Sequence, residues 1–357
     1  MNFVRFSVFA DFHYKKSMYI PSVADLEAVF ERARQSGAEF VLSAGDFCND
    51  YQHSPEIIAA YLQNHCHLPV YGVYGNHELE TPDNSMEIVT PCLTNRKVVW
   101  GTPNGRIGDG SIAYYYFEKG NFRFVCLDTN YSIDPVSGEY VHNPTASHQP
   151  PKGNRFGNSV GSDQLRWLEA VLTDAAQQGR ACVILSHFGF SSLWWSPQAA
   201  EEVRSVFAKA NGIRRGTILL AINGHLHTNR SGRLDEVVYF DVNTVRNTLW
   251  VDNDKAFDHY ADKRYVFTDY DANGKEISRY NRLINEMRMA KNTWFNSSPL
   301  SAIVTVWENG SVEIEGEESS WLYGIAPPLE IYGAGVEPRI SSVSFPPLES
   351  LDKRMGG

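Results

Sequence analysis

Over its first 245 residues the chain repeatedly alternates short apolar runs of strand length with amphipathic stretches of helical length. Such alternation builds sheets covered by helices and excludes an all-helical bundle or a fibrous chain. Strands are predicted at Phe3 to Ala10, Glu39 to Ser43, Val70 to Tyr74, Ala181 to Ser186, Thr217 to Ile222 and Val237 to Val242. Helices are predicted at Val23 to Arg34, Pro55 to Asn64, Asp163 to Gln177 and Pro197 to Ala208. In the third of these, Leu165, Leu168, Leu172 and Ala176 follow a helical period behind Ser162, a capping residue type. Ile112 to Phe117 and Phe122 to Leu127 flank a Lys-Gly-Asn turn and predict a hairpin.

Past residue 247 the pattern changes. Tyr265 to Thr268, Ala302 to Trp307 and Val312 to Glu315 read as strands around one helix at Ile277 to Ala290, with Asn309-Gly310 as a hairpin turn. The tail after Ala326, rich in Pro and Gly, is expected to be extended. The expected organisation is an α/β domain over residues 1–247 with a small α+β appendage, 248–357, packed on it. A chain of 357 residues that is 43% hydrophobic has ample material for a large core. No run approaches the roughly 20 apolar residues that span a bilayer. No secretory apolar region precedes Asp11, and the five cysteines form an odd, scattered set that suits buried thiols in a reducing compartment. A cytoplasmic protein is expected. Lys and Arg number 32 against 42 Asp and Glu, a net charge of −10, which disfavours long nucleic acid or an anionic membrane as partner.

Ligand-grade polar residues gather just after the carboxyl ends of the predicted strands: Asp11-Phe12-His13, Gly45-Asp46, Gly75-Asn76-His77-Glu78, Ser186-His187 and Asn223-Gly224-His225-Leu226-His227. In an open α/β sheet these ends face a common crevice, so segments far apart in sequence can meet there. Any one segment taken alone reads as a polar turn. Five of the chain's 11 histidines fall in these segments, however, and turns have no need of imidazole.

The order Asp-x-His, Gly-Asp, Gly-Asn-His-Glu, a lone His and Gly-His-x-His resembles the calcineurin-like metallophosphoesterases over residues 3 to about 245. That resemblance implies a sandwich of two mixed β-sheets flanked by helices, and a dinuclear site. One ion would take Asp11, His13, Asp46 and His227, and the other Asp46, Asn76, His187 and His225, with Asp46 bridging. The mixed nitrogen and oxygen set suits two divalent or mixed-valence first-row ions, Mn, Fe, Zn or Ni. Two such ions outweigh the two Asp carboxylates in charge, so the site would attract a small phosphorylated substrate and hydrolyse a phosphomonoester or small phosphodiester by attack of a metal-bridged hydroxide. By the same resemblance His77 is no ligand and would protonate the leaving oxygen. For Glu78 two roles stand open, orienting a neighbour or satisfying backbone groups. The purple acid phosphatase branch, with Gly in place of His13 and Tyr in place of Asn49, fits less well. A nuclease of the same superfamily and a metal-free binding module on the same fold are the alternatives.

Other residues give weaker signals. His65 and His67 around Cys66 read as a solvated helix end, and Cys48 as a buried filler despite lying two residues from Asp46. His142 and His148 lie in a long stretch between Asp128 and Gly161 that reads as a surface excursion, with a substrate loop as the alternative. Trp194 and Trp195 read either as an aromatic wall for a nucleobase or aryl leaving group or as packing against the appendage. Asp269-x-Asp271-x-Asn273-Gly274 imitates a calcium loop, but Tyr280 stands at the twelfth position and a polar hairpin turn is favoured.

Overall fold

The computed structural model of the chain describes residues 2–14, 20–48, 54–78, 99–100, 114–133, 137, 140–142, 160–193, 200–250, 264–270, 276–282, 293–328 and 336–349. The first half contains β1 (Phe3–Phe9), α1 (Val23–Gln35), β2 (Val41–Ser43), α2 (Ser54–Asn64), β3 (Val70–Gly72), β4 (Val99–Trp100), β5 (Tyr115–Lys119), β6 (Phe122–Cys126), β7 (Tyr131–Ile133) and β8 (Tyr140–His142). There follow α3 (Ser162–Gln177), β9 (Ala181–Leu185), α4 (Ala200–Ile213), β10 (Ile218–Asn223), β11 (Arg230–Leu234) and β12 (Val237–Asp241). The last part adds β13 (Asn247–Trp250), β14 (Arg264–Tyr270), β15 (Glu276–Arg282), β16 (Thr293–Phe295), β17 (Ala302–Trp307), β18 (Val312–Glu315) and β19 (Val343–Phe345).

Two mixed sheets face each other. The first has the order β19-β18-β17-β1-β2-β3 and the second β11-β12-β10-β9-β6-β5-β4. Strands β1, β2 and β3 run parallel in one, and β6, β9, β10 and β12 in the other. Successive side chains on a strand point to opposite faces. Val4, Phe6 and Val8 of β1 therefore enter the core between the sheets, where Phe124, Val183 and Leu220 meet them, while Phe9 turns outward to Phe30 of α1. On the outer face of the second sheet, Leu168 and Leu172 of α3 and Val203 and Phe207 of α4 cover Ile184 and Ala221. The central parallel strands are covered on both faces, so β9 and β10 read as unbroken apolar runs and are buried throughout. Local chemistry agrees with the helix starts: Asp25, at the third position of α1, accepts the N–H of Ser22 at 2.8 Å, and Arg32 and Arg34 sit in the last turn, where the helix dipole favours cations. No helix among the described residues is long and apolar enough to cross a membrane.

The C-terminal strands extend the first sheet. β17 pairs antiparallel with β1, β18 with β17 and β19 with β18, and Ala302, Val304, Val306 and Ile314 join the inter-sheet core. One expectation fails here: residues 276–282 form β15, paired antiparallel with β14 from Arg264↔Arg282 to Tyr270↔Glu276, where a helix starting at Ile277 was predicted. The reason lies in pairing. The antiparallel ladder between β14 and β15 supplies cross-strand hydrogen bonds along their facing edges, and this outweighs a weak helical preference. Residues 271–275 and 283–290 lie outside the described residues.

Polar clamps tie the first 247 residues to the last segment. Arg32 donates to Glu315 O at 3.0 Å and Gly316 O at 2.9 Å and pairs with Glu317 at 2.8 Å. Arg246, only 1% exposed, donates through Nε to Asn296 O at 2.8 Å and pairs through Nη1 with Asp25. Removing one partner of a buried pair strands the other charge. Arg246→Met is expected to lower the unfolding free energy by about 3–5 kcal/mol in urea denaturation, with Asp25→Asn/Arg246→Met recovering part of that loss.

Candidate metal centre

Parallel strands end at the same edge of a sheet, and that edge collects the polar segments. Asp11 and His13 follow β1, Asp46 follows β2, Asn76 to Glu78 follow β3, His187 follows β9, and His225 and His227 follow β10. Hydrogen bonding continues past the strand ends and locks neighbouring loops together: Asp11 N donates to Gly45 O at 3.0 Å, His13 N to Asp46 O at 2.8 Å, and Gly224 N to His187 O at 3.1 Å. The backbone is strained at this edge. Eight described non-glycine residues have a positive φ, and five of them are Asp11, His13, Asp46, His225 and His227. Such conformations persist only where the surroundings enforce them, and they cluster at functional sites. Close approach also requires glycine. A Cβ on Gly224 would lie 2.6 Å from Asp11 Oδ2, and one on Gly75 would strike the Asp46 carboxylate.

All eight site residues predicted from the sequence meet here. His227 Nε2 lies 3.1 Å from both Asp11 Oδ1 and His13 Nε2. Asp46 Oδ2 lies 3.2 Å from His187 Nε2, 3.8 Å from His13 Nε2 and 3.9 Å from His77 Nε2. His187 Nε2 is also 3.1 Å from Asn76 Oδ1, and its ring centroid is 5.1 Å from that of His225. Donor atoms of Asp11, His13 and His227 lie within metal-binding reach of one another, as do those of Asp46, His187 and His225, and those of His13, Asp46 and His77. His77 differs from the buried members in keeping 17% of its side chain exposed.

The electrostatics describe a site that calls for positive charge. Asp11 and Asp46 are 0% and 1% exposed, and their ion-pair partners among the described residues are imidazoles. Burial alone would raise both carboxyls, yet His227 and His187 outweigh it at Asp11, and His187 and His77 at Asp46, holding both below the usual carboxylate value. Burial pushes His13 down to about 3 against the pull of Asp46, and burial next to His187 does the same to His225. Both are neutral at pH 7, with lone pairs available to a cation. Burial also opposes a charge on His187, but Asp46 overcomes it and raises that imidazole to about 10. A proton held so firmly between two oxygen acceptors marks a position that a divalent ion can take over. Buried carboxylates, neutral imidazoles and an amide oxygen, without thiolate, suit first-row divalent metals.

The structure decides the open question at Glu78. This side chain is 0% exposed and its carboxylate accepts backbone N–H groups of Asp46 at 3.2 Å, Cys48 at 3.2 Å, Phe47 and Gly75. It thereby ties the β2 loop to the β3 loop. Burial, together with the negative Asp46, raises its carboxyl to about 7. Sequence reading missed Thr244, whose hydroxyl donates to Asp11 O at 2.7 Å, because a lone Thr after a strand carries no signal of its own. Cys48 is 1% exposed within the apolar cluster under α1 and α2, as a filler should be. His65 and His67 are exposed at the end of α2. Asn49, His148, Trp194 and Trp195 lie outside the described residues, while the backbone of His142 pairs with that of Tyr131 in the β7–β8 hairpin.

Comparison with known proteins agrees with this geometry. The sequence signature of calcineurin-like phosphoesterases matches residues 4–229. A bovine protein named manganese-dependent ADP-ribose/CDP-alcohol diphosphatase is 25% identical over 240 residues, covering 56% of this chain and 69% of the relative. A protein of the same name from Arabidopsis thaliana is 25% identical over 243 residues, covering 58% and 71%. Among solved structures, a dimetal phosphatase from Danio rerio shares the fold, with a TM-score of 0.53 and 17% identity over 88% of this chain and 95% of that one.

Glu78→Ala leaves four backbone donors beside the site without their acceptor. Each buried orphan costs about 1–3 kcal/mol, so urea unfolding of the metal-free protein should show a loss of roughly 4 kcal/mol or more. Glu78→Gln, which keeps one acceptor oxygen, should lose less.

Proposed function

The chain belongs to the calcineurin-like phosphoesterase family, and from that premise we propose that it hydrolyses a small substrate containing a diphosphate linkage to a nucleoside, at a dinuclear manganese centre. A metal-dependent phosphoric ester hydrolase is the activity of that family. The observation that carries the dinuclear reading is the division of labour within Asp46: Oδ1 accepts the His77 N–H at 2.9 Å, while Oδ2 faces His187, His13 and His77 together. One carboxylate oxygen directed at two clusters is what a bridging ligand requires. The proposed sets are Asp11, His13, Asp46 and His227 for one ion, and Asp46, Asn76, His187 and His225 for the other. Ions held there would supply Lewis-acid charge to phosphoryl oxygens and lower the pKa of water.

The chain's own groups do the rest. Asp11 is held by the His225 N–H, which lies 3.2 Å from Oδ1 and 3.0 Å from Oδ2, so the carboxylate and the imidazole-bearing loop share one orientation. His187 is oriented through Nδ1, 2.8 Å from Ala44 O, a bond that fixes the proton on Nδ1 and leaves Nε2 to the site. His77 is the proposed proton donor to a departing oxygen, a reading supported by its partial opening to solvent beside His13, 5.0 Å away between ring centroids. The diphosphate substrate and manganese are drawn from the bovine and Arabidopsis relatives, whose names specify them. The acidic net charge of −10 favours a small substrate over a long polynucleotide.

Elemental analysis of the purified protein should find about two ions per chain, and chelation should abolish hydrolysis of ADP-ribose until Mn is restored. A faster rate on single-stranded oligonucleotide than on ADP-ribose would favour the nuclease reading, and absence of any retained metal would favour a binding module. His77→Ala should keep its metal and lose about 10²–10⁴-fold in turnover, whereas Asp46→Ala should lose the metal itself. Equal metal loss in both variants would contradict these roles.

A further inference from the structure

The six residues from Asn223 to Thr228 carry both imidazoles of the Gly-His-x-His segment, and their backbone is strained, with φ of 72° at His225 and 52° at His227. Something must hold the two ends of that loop. Asp241 is placed to do so: it terminates β12, which runs parallel to β10 with Asn223 paired to Asp241. Its side chain is 0% exposed. At one end of the loop Asn223 Nδ2 donates to Asp241 Oδ1 at 2.8 Å, and at the other Thr228 Oγ1 donates to Asp241 Oδ2 at 2.5 Å. Asn223 Nδ2 also reaches Gly224 O at 3.0 Å, within the turn itself. A single carboxylate thus closes the loop from both sides. Because the His225 N–H in turn holds Asp11, fixing the loop also fixes a residue of the neighbouring strand end.

We infer that Asp241 is a positioning residue for the metal centre, closing the His225–His227 loop through Asn223 and Thr228 without itself contacting a metal; this rests on the metal-centre reading above. The bonds need two acceptor or donor atoms in one plane and no charge. Asn fits: its Oδ1 can accept from Asn223 and its Nδ2 can donate to Thr228 Oγ1. Groups that orient metal ligands from behind are worth about 10–100-fold in metal affinity.

The test is Mn(II) titration of the metal-free full-length chain by calorimetry, with Mn electron paramagnetic resonance to count the ions and circular dichroism to check folding. Asp241→Ala is expected to lose about 10–100-fold in Mn affinity with its circular dichroism unchanged, and Asp241→Asn to bind within about threefold of the unaltered protein. Thr228→Val, which removes one bond and keeps the shape, should lose about threefold to tenfold, and serves as the deciding variant if Asp241→Ala does not fold. Unaltered Mn affinity in Asp241→Ala, or in Thr228→Val where the former misfolds, would overturn the inference, as would a loss in Asp241→Asn equal to that in Asp241→Ala. If the unaltered protein takes up no Mn at all, the metal-centre reading falls and this inference with it.

Discussion

Two carboxylates, Asp11 and Asp46, are withdrawn from water at one edge of the sandwich with imidazoles for company. Burying like charges together is costly unless positive charge is supplied close by. The protein meets part of that demand with a proton on His187, held between Asp46 and Asn76. His13 and His225, both pushed down by burial, are neutral and present lone pairs. An arrangement of this kind makes little sense as a structural core, where apolar groups of the same volume would serve better. It is well suited to holding cations and, through them, a phosphate.

The scaffold bears the strain that this edge requires. Strongly paired parallel strands, buried on both faces, end in loops whose residues adopt left-handed backbone conformations. These are tolerated because Glu78, Thr244 and Asp241 tie the loops to one another from behind. The last hundred residues take part as well. They supply the strands beyond β1 and, through Asn243, whose amide reaches Glu337 O at 2.7 Å and Arg339 O at 3.0 Å, they brace the segment that holds Asp11. Support for the site is thus spread over much of the described chain, whereas the clustered candidate ligands lie between Asp11 and His227.

Much of this could be read before any coordinates. Apolar runs gave the central strands to within a residue or two, because strands buried on both faces have little choice of composition. The helical period placed α3, and turn chemistry placed the β5–β6 and β17–β18 hairpins. At Ile277 the same reasoning failed, since a strand whose partner lies just beyond a turn need not advertise itself by pattern alone. Glu78 was ambiguous for a similar reason: three of its four partners are backbone groups 30 to 32 residues away in the β2 loop, and no spacing rule encodes them. Asp241 gave no signal, because a single Asp at a strand end resembles any polar terminus.

The sequence by itself determined which donor atoms the chain owns and that each stands just past the carboxyl end of a strand, since residue type and hydrophobic period are local properties. Only the tertiary structure decided that these ends share one edge, that Asp46 turns one oxygen to His77 N–H and the other to the imidazoles, and that Glu78 and Asp241 work from behind. Those outcomes depend on distances between segments far apart along the chain. Packing sets such distances, and a linear pattern does not contain them.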